Sequence, residues 1–322
     1  MHNQKLFITS HAPYWHNRSS ITAKSYHIML AALPAAAMGV YQYGVPALGV
    51  LAFSVSCAML WELVMNFVTK RPVSIGDGNA ALIGLLFGML LPAVTPWWVV
   101  LVGTFAAIII GKQIYGGLGC NPFNPVLVAL AIITLSWKSL VDFNQALVNY
   151  DLGFEMVAPL TAVKYLGASA SSDYSLLGLL MGQQTGGIGS TFGLGLIIGG
   201  IYLILRGYIR WEISLSFIVG VFITALIFNL SDPNKYAGPL FHLLSGYTLI
   251  GAFFLATEDS SSPVNFIPML IYGAGGGILT VLVRSIGSFA DGLVFAVLLM
   301  NLANPLLDKI RPRAMGRGNQ HA

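Results

Sequence analysis

Asn121, Asn124 and Asp77 are the side chains in this sequence best placed to hold a cofactor or an ion. Asn121 and Asn124 fall in residues 111–125, Gly-Lys-Gln-Ile-Tyr-Gly-Gly-Leu-Gly-Cys-Asn-Pro-Phe-Asn-Pro, between two apolar runs. An amide side chain both donates and accepts, so a pair of them suits a ligand carrying both kinds of group. Asp77 sits in Ile-Gly-Asp-Gly-Asn at the lead-in to another apolar run. An acid there is either a helix cap or a ligand for a cation or a cofactor. Ionisable groups inside a membrane cost about 2.5–3.5 kcal/mol each at a helix centre, which makes every one of them a functional candidate. Glu62, near the end of the second apolar run, either carries function or pairs with Lys70. Glu258 and Asp259, followed by three serines, are either a solvated helix end or part of an ion path. His242 reads as a helix-end histidine and Asp291 as a charge at a helix N-terminus.

Other chemistries are excluded by what is missing. No nucleophile–base pair, zinc-ligand spacing or Walker-type phosphate loop is present, so neither a catalytic nor a metal-ligating set is expected. Residues 183–190, Gln-Gln-Thr-Gly-Gly-Ile-Gly-Ser, open an apolar run. Backbone amides at such a start can hold a phosphate, but no strand precedes them, so a dinucleotide fold is ruled out. The two cysteines, Cys57 and Cys120, are too few for a disulfide framework or an iron–sulfur site built by this chain alone.

The elements that must position these residues follow from composition. Of 322 residues, 56% are hydrophobic and 9% charged, where a soluble domain carries about 25% charged residues. An all-α polytopic membrane protein is predicted, with the lipid bilayer as a partner and no nucleic acid. A polar tail over residues 1–25 precedes apolar runs at about 26–45, 46–68, 79–94, 96–112 and 122–136. A polar insert at 137–187 is followed by runs at about 188–206, 212–230, 238–257, 265–283 and 286–305, then a tail at 306–322. About ten transmembrane helices are expected, with 79–94 and 238–257 as half-helices. The first run begins near Tyr26, later than a leader peptide would place it, so no cleaved leader is expected. Net charge is +4 and concentrated at the two ends, so both termini are expected in the cytoplasm. Lys70, Arg71, Lys112, Arg206 and Arg210 then fall inside, and the acidic insert 137–187 falls outside. Arg284 is the exception.

Residues 111–125 cannot continue as regular helix. Four glycines loosen the backbone, and Pro122 and Pro125 remove two amide donors. Irregular backbone at membrane depth is tolerated only against protein or a water-lined cavity. A weak internal repeat supports a broken helix. Residues 80–98 and 245–266 share a polar lead-in, Leu-Ile-Gly, phenylalanine and a proline break, and Asn121–Pro125 is echoed by Asn301–Pro305. Two halves of five runs each, 26–136 and 188–305, must be inverted relative to each other, with a site at their shared midplane.

These same residues carry a family resemblance. Residues 111–125 resemble the signature of the NqrB/RnfD family, as do Asp77-Gly78 with 82–92, Gly187–Ser190, 241–246, 251–257 and 283–301. The resemblance spans about 20–308, and the length is similar to the D subunit of the Rnf complex. It implies two inverted five-helix repeats with broken half-helices, as in ammonium and urea channels. It also implies a bacterial or archaeal plasma (inner) membrane location. The partners it implies are the other Rnf-type membrane and iron–sulfur or flavin subunits, in a complex coupling electron flow to Na⁺ or H⁺ movement. Family members carry FMN on a threonine of the outer insert, before Pro-Leu. Here Pro159-Leu160 is kept, but Ala158 stands at the acceptor position and Glu155 where serine is usual. Alanine has no hydroxyl, so covalent FMN there is chemically impossible. Thr161 is a shifted alternative acceptor; otherwise FMN or riboflavin is noncovalent or absent. The remaining readings are a flavin-free scaffold subunit and a stand-alone small-solute channel, and fold cannot choose among them.

Overall fold

The computed structural model describes residues 20–310, which are helix and connecting turns, with no strand among the described residues. The terminal basic residues Lys5, Arg18, Arg311, Arg313 and Arg317, with His11 and His16, lie outside the described residues.

Helix α1 (Ile21–Tyr43) starts where the Ser20 hydroxyl accepts from the amide of Ala23 at 3.0 Å. It stops at Gly44, whose φ of 73° few other residues adopt, and α2 (Val45–Val68) starts immediately. α3 (Asn79–Leu90) has 12 residues and ends before Pro92, short of the ~20 needed to cross hydrocarbon. α4 (Trp97–Phe105) runs on as a π-helix, Ala106–Gln113. α5 (Pro125–Ser136) is again a 12-residue piece.

The insert folds into short pieces: α6 (Lys138–Val141), α7 (Phe143–Ala146), α8 (Pro159–Leu166) and α9 (Leu176–Met181). Then come α10 (Gly193–Leu205), α11 (Trp211–Ser231), α12 (Pro239–Leu244) and α13 (Thr248–Ile250), which continues as a second π-helix, Gly251–Leu255. α14 (Phe266–Ser285) and α15 (Leu293–Leu307) complete the described helices.

Three helices, α2, α11 and α14, are long and apolar enough to cross a membrane alone. α3, α4 with its π-helical extension, α5, α10 and α15 are shorter apolar helices. The chain is a multi-pass membrane protein. The run expected at 238–257 is no single helix; it breaks at Ser245–Tyr247.

Lipid tails are as apolar as leucine, so these helices associate by close packing of small residues. α10 meets α1 where a Cβ on Gly199 would lie 2.2 Å from the Ala31 carbonyl oxygen. α14 meets α11 where a Cβ on Gly277 would lie 2.3 Å from the Phe217 oxygen. The obstacles are backbone, which cannot rotate away. Gly199→Ala is therefore expected to lower stability by about 1–3 kcal/mol through overpacking. Gly49→Ala, inside α2 with nothing within 4 Å of the new methyl, is expected to raise it slightly, by about 0.5–1 kcal/mol. Thermal unfolding of both in the same detergent checks the contrast.

Candidate functional site

The break after α4 is built by its own sequence. Gly116, Gly117 and Gly119 adopt φ of 121°, 100° and 84°, which folds residues 113–121 back on themselves. Arg71 Nη1 donates to the Gly116 carbonyl at 2.8 Å. Asn124 then caps α5, its Oδ1 accepting from the amides of Val126 at 2.9 Å and Leu127 at 3.3 Å.

The same asparagines reach across to the second half. Asn124 Nδ2 donates at 2.8 Å to the carbonyl of Leu255, the last residue of the second π-helix. Asn121 Nδ2 donates to the Phe123 carbonyl at 3.0 Å and to Glu258 Oε1 at 3.1 Å. The Asn124 amide donates to Asn301 Oδ1 at 3.2 Å, and Asn301 Nδ2 donates to the Ser261 carbonyl and to Tyr272 Oη. Asn304 Nδ2 donates to the same Ser261 carbonyl. The two Asn-x-x-Asn-Pro echoes of the sequence thus meet in space.

Around this junction lies a cavity of about 240 Å³, close to the lower end of the usual range for ligand pockets, about 300–1,000 Å³. Leu82, Ile83, Leu86, Phe253 and Phe254 give it apolar walls. Asn121, Asn124, Thr257 and Glu258 give it a polar end. Glu258 is half-buried, and both its oxygens are engaged, one by Asn121 and one by the Ser261 amide and hydroxyl. Lys24 of α1 pairs with Asp259 beside it, which ties the first helix to the second break.

Of the residues singled out in the sequence, Asn121 and Asn124 come together here. Asp77 does not face them. Its Oδ1 accepts from the Asn79 amide at 2.8 Å, as a local cap on α3. Asn79, two residues on, lines the cavity instead. Glu62 does not pair with Lys70. It holds Lys112, with Nζ at 2.9 Å and 3.1 Å from its two oxygens, and both side chains are buried. Ser74 Oγ donates to the same carboxylate and accepts from Asn66. Lys112 is therefore no marker of the cytoplasmic face. Neither is Arg284, whose position had contradicted that reading. It is 4% exposed, bonds Asp291 at 3.0 Å and donates to the His242 carbonyl at 2.8 Å. Sequence reading missed the roles of Asn79, Lys112 and Tyr272; only the repeated Asn-x-x-Asn spacing pointed to Asn301 and Asn304.

Thr161 lines a different cavity. That space, about 190 Å³, is shared with Ala158, Phe143, Tyr165, Tyr247 and Phe289. Ala158 is the N-cap residue of α8, and its amide donates to Asn144 Oδ1 at 2.7 Å. Its side chain is a methyl group, so a phosphoester cannot form there. Thr161, one turn further into α8, is half-buried.

A profile of the NQR2, RnfD, RnfE family matches residues 8–316. The chain belongs to that family. It is 34% identical to the D subunit of the ion-translocating oxidoreductase complex of Pectobacterium atrosepticum, over 96% of this chain and 99% of that protein. It is 35% identical to the corresponding D subunit of Stutzerimonas stutzeri, over 93% of each. It is also 33% identical to the D subunit of the proton-translocating ferredoxin:NAD(+) oxidoreductase complex of Clostridium ljungdahlii, over 95% of each. The chain is thus related across its length to subunits of multi-subunit, ion-translocating oxidoreductases.

The buried ion pair gives this family member a test of its first break. Lys112→Met leaves the Glu62 carboxylate buried without its cation, expected to cost about 3–5 kcal/mol. Adding Glu62→Gln removes the stranded charge and should restore most of the loss. Thermal unfolding of the single and double variants reads the difference.

Proposed function

We propose that this chain is the D-type membrane subunit of an Rnf-type complex that couples electron transfer to Na⁺ or H⁺ translocation. On this reading the central cavity holds a noncovalent flavin, FMN or riboflavin. The observation that carries the proposal is the meeting of two broken helices at one cavity with apolar walls and an amide–carboxylate end. A flavin ring has the same division, an apolar benzenoid side and a polar edge that donates and accepts. Asn121, whose Oδ1 makes no bond within the described residues, and Asn124 would meet that edge, with Glu258 holding the Asn121 amide in place. A bound flavin would supply electron transfer, and the protein would supply position and electrostatics.

The proposal includes ten crossings in two inverted repeats, with both termini cytoplasmic in a bacterial or archaeal plasma membrane. Two features support it: the paired π-helices, Ala106–Gln113 and Gly251–Leu255, and the contact between Asn124 and Asn301. Partners would be the other membrane, iron–sulfur and flavin subunits, in keeping with the names of the relatives. Ala158 favours one competing reading, a flavin-free scaffold.

The test is a flavin assay on the purified complex. In-gel fluorescence after denaturation is expected to show no flavin on this chain, while acid extraction is expected to release it. Asn121→Ala should lower the extracted flavin severalfold while the complex stays assembled. A fluorescent band would mean covalent attachment at Thr161 or another hydroxyl. Flavin in neither fraction would sink the cofactor reading and leave the scaffold.

A further inference from the structure

A third, smaller chamber lies where the insert meets α12 and the end of α14, next to the Thr161 cavity, with which it shares Leu160 and Ala290. It has a volume of about 50 Å³ and is lined by Lys164, Lys235, His242 and Arg284 among others. Four nitrogen bases around so small a space call for an account of what balances them.

Arg284 is already matched by Asp291, whose Oδ1 it bonds at 3.0 Å. The other Asp291 oxygen accepts from the Tyr247 amide at 2.7 Å and is spent. Lys164 Nζ donates to the carbonyls of Gly287 and Phe289, both at 2.6 Å. An ammonium has three donors, so one is left over. Burial, with Lys138 adding to it, pulls the Lys164 ammonium below its ordinary value, as expected for a desolvated cation with no carboxylate. Lys235 lies over the Tyr236 ring, 5.2 Å from its centre. The nearest acid in its own loop, Asp232, turns its Oδ1 to the Asn234 amide. His242 is 5% exposed, and its Nδ1 has no hydrogen-bond partner. The chamber is therefore rich in donors and poor in acceptors.

We infer that this chamber binds a phosphate group, carried by an anionic lipid headgroup or free in solution. Lys164, Lys235 and His242 supply the donors, and Arg284 adds positive field. One water fills about 10–15 Å³ of such space, so the chamber has room for the few oxygens of a compact tetrahedral anion. Its surroundings favour a lipid as the source. Tyr165 and Leu166, next to Lys164, are 76% and 71% exposed, and Leu240, two residues before His242, is 50% exposed. Acyl chains would find those side chains beside the bound head. Ala168 N donates to the Asn234 carbonyl at 3.0 Å, so α8 and the Lys235 loop are already held together and the site needs no closure.

The inference is tested on the full complex in nanodiscs of equal phosphatidylglycerol and phosphatidylcholine, by native mass spectrometry. Wild type is expected to retain phosphatidylglycerol. Lys235→Gln, an exposed substitution, should cut that retention about fivefold, the scale of one basic residue at an anionic surface. Lys235→Glu should abolish it. In detergent with inorganic phosphate alone, a raised unfolding temperature in wild type that is lost in Lys235→Glu would assign the site to free phosphate instead. Equal lipid retention in all three proteins, with no response to phosphate, would show that the chamber holds water only and overturn the inference. Flavin content serves as the control, since none of these variants touches the central cavity.

Discussion

Every peptide group at membrane depth needs a partner, and two breaks in one membrane protein create many that lack one. Here the breaks answer each other. Asn124 satisfies the start of α5 with its oxygen and the end of the second π-helix with its nitrogen. Asn301 satisfies the Asn124 amide with its oxygen and the Ser261 carbonyl with its nitrogen. A short polar side chain with a donor at one corner and an acceptor at the other is the residue type that can serve two broken ends at once. Remove that exchange and the start of α5 loses its cap, while the Leu255 and Ser261 carbonyls each lose a donor.

The buried charges follow the same logic on either side of the junction. Lys112 stands near the end of the π-helix that extends α4, and Arg284 near the end of α14. Each is neutralised by an acid from elsewhere, Glu62 or Asp291. Arg284 also pins the carbonyls of His242 and Ser245, where the run of α12 stops. These pairs cost desolvation and are weak arguments for stability by themselves. Their effect is positional, because a charge that must be paired fixes the segment that carries it.

The insert at 137–187 shows how local fold and side-chain chemistry rest on different atoms. Ala158 donates its amide to Asn144 and precedes the proline that opens α8. The methyl group removes the chemistry that a hydroxyl would permit. The local fold needs no hydroxyl at this position, because it rests on the Ala158 amide and the proline that follows.

Much was legible in the chain before any coordinates. Low charge and long apolar runs dictate a multi-pass helical protein, since runs of that length satisfy their own backbone in lipid only as helix. Glycine and proline in residues 111–125 dictate a break, because their backbone limits act locally. The Asn-x-x-Asn-Pro echo marked both ends of the junction. What the chain in one dimension could not decide was pairing. Glu62 had Lys70 eight residues away and chose Lys112, fifty residues away. Asp77 read equally as a cap or a ligand, and its Oδ1 takes the amide two residues on. Arg284 looked like a topological error and proved to be a buried partner. Local backbone preference is written in neighbouring residues; which charge meets which is set by distances between helices, and those exist only once the helices have packed.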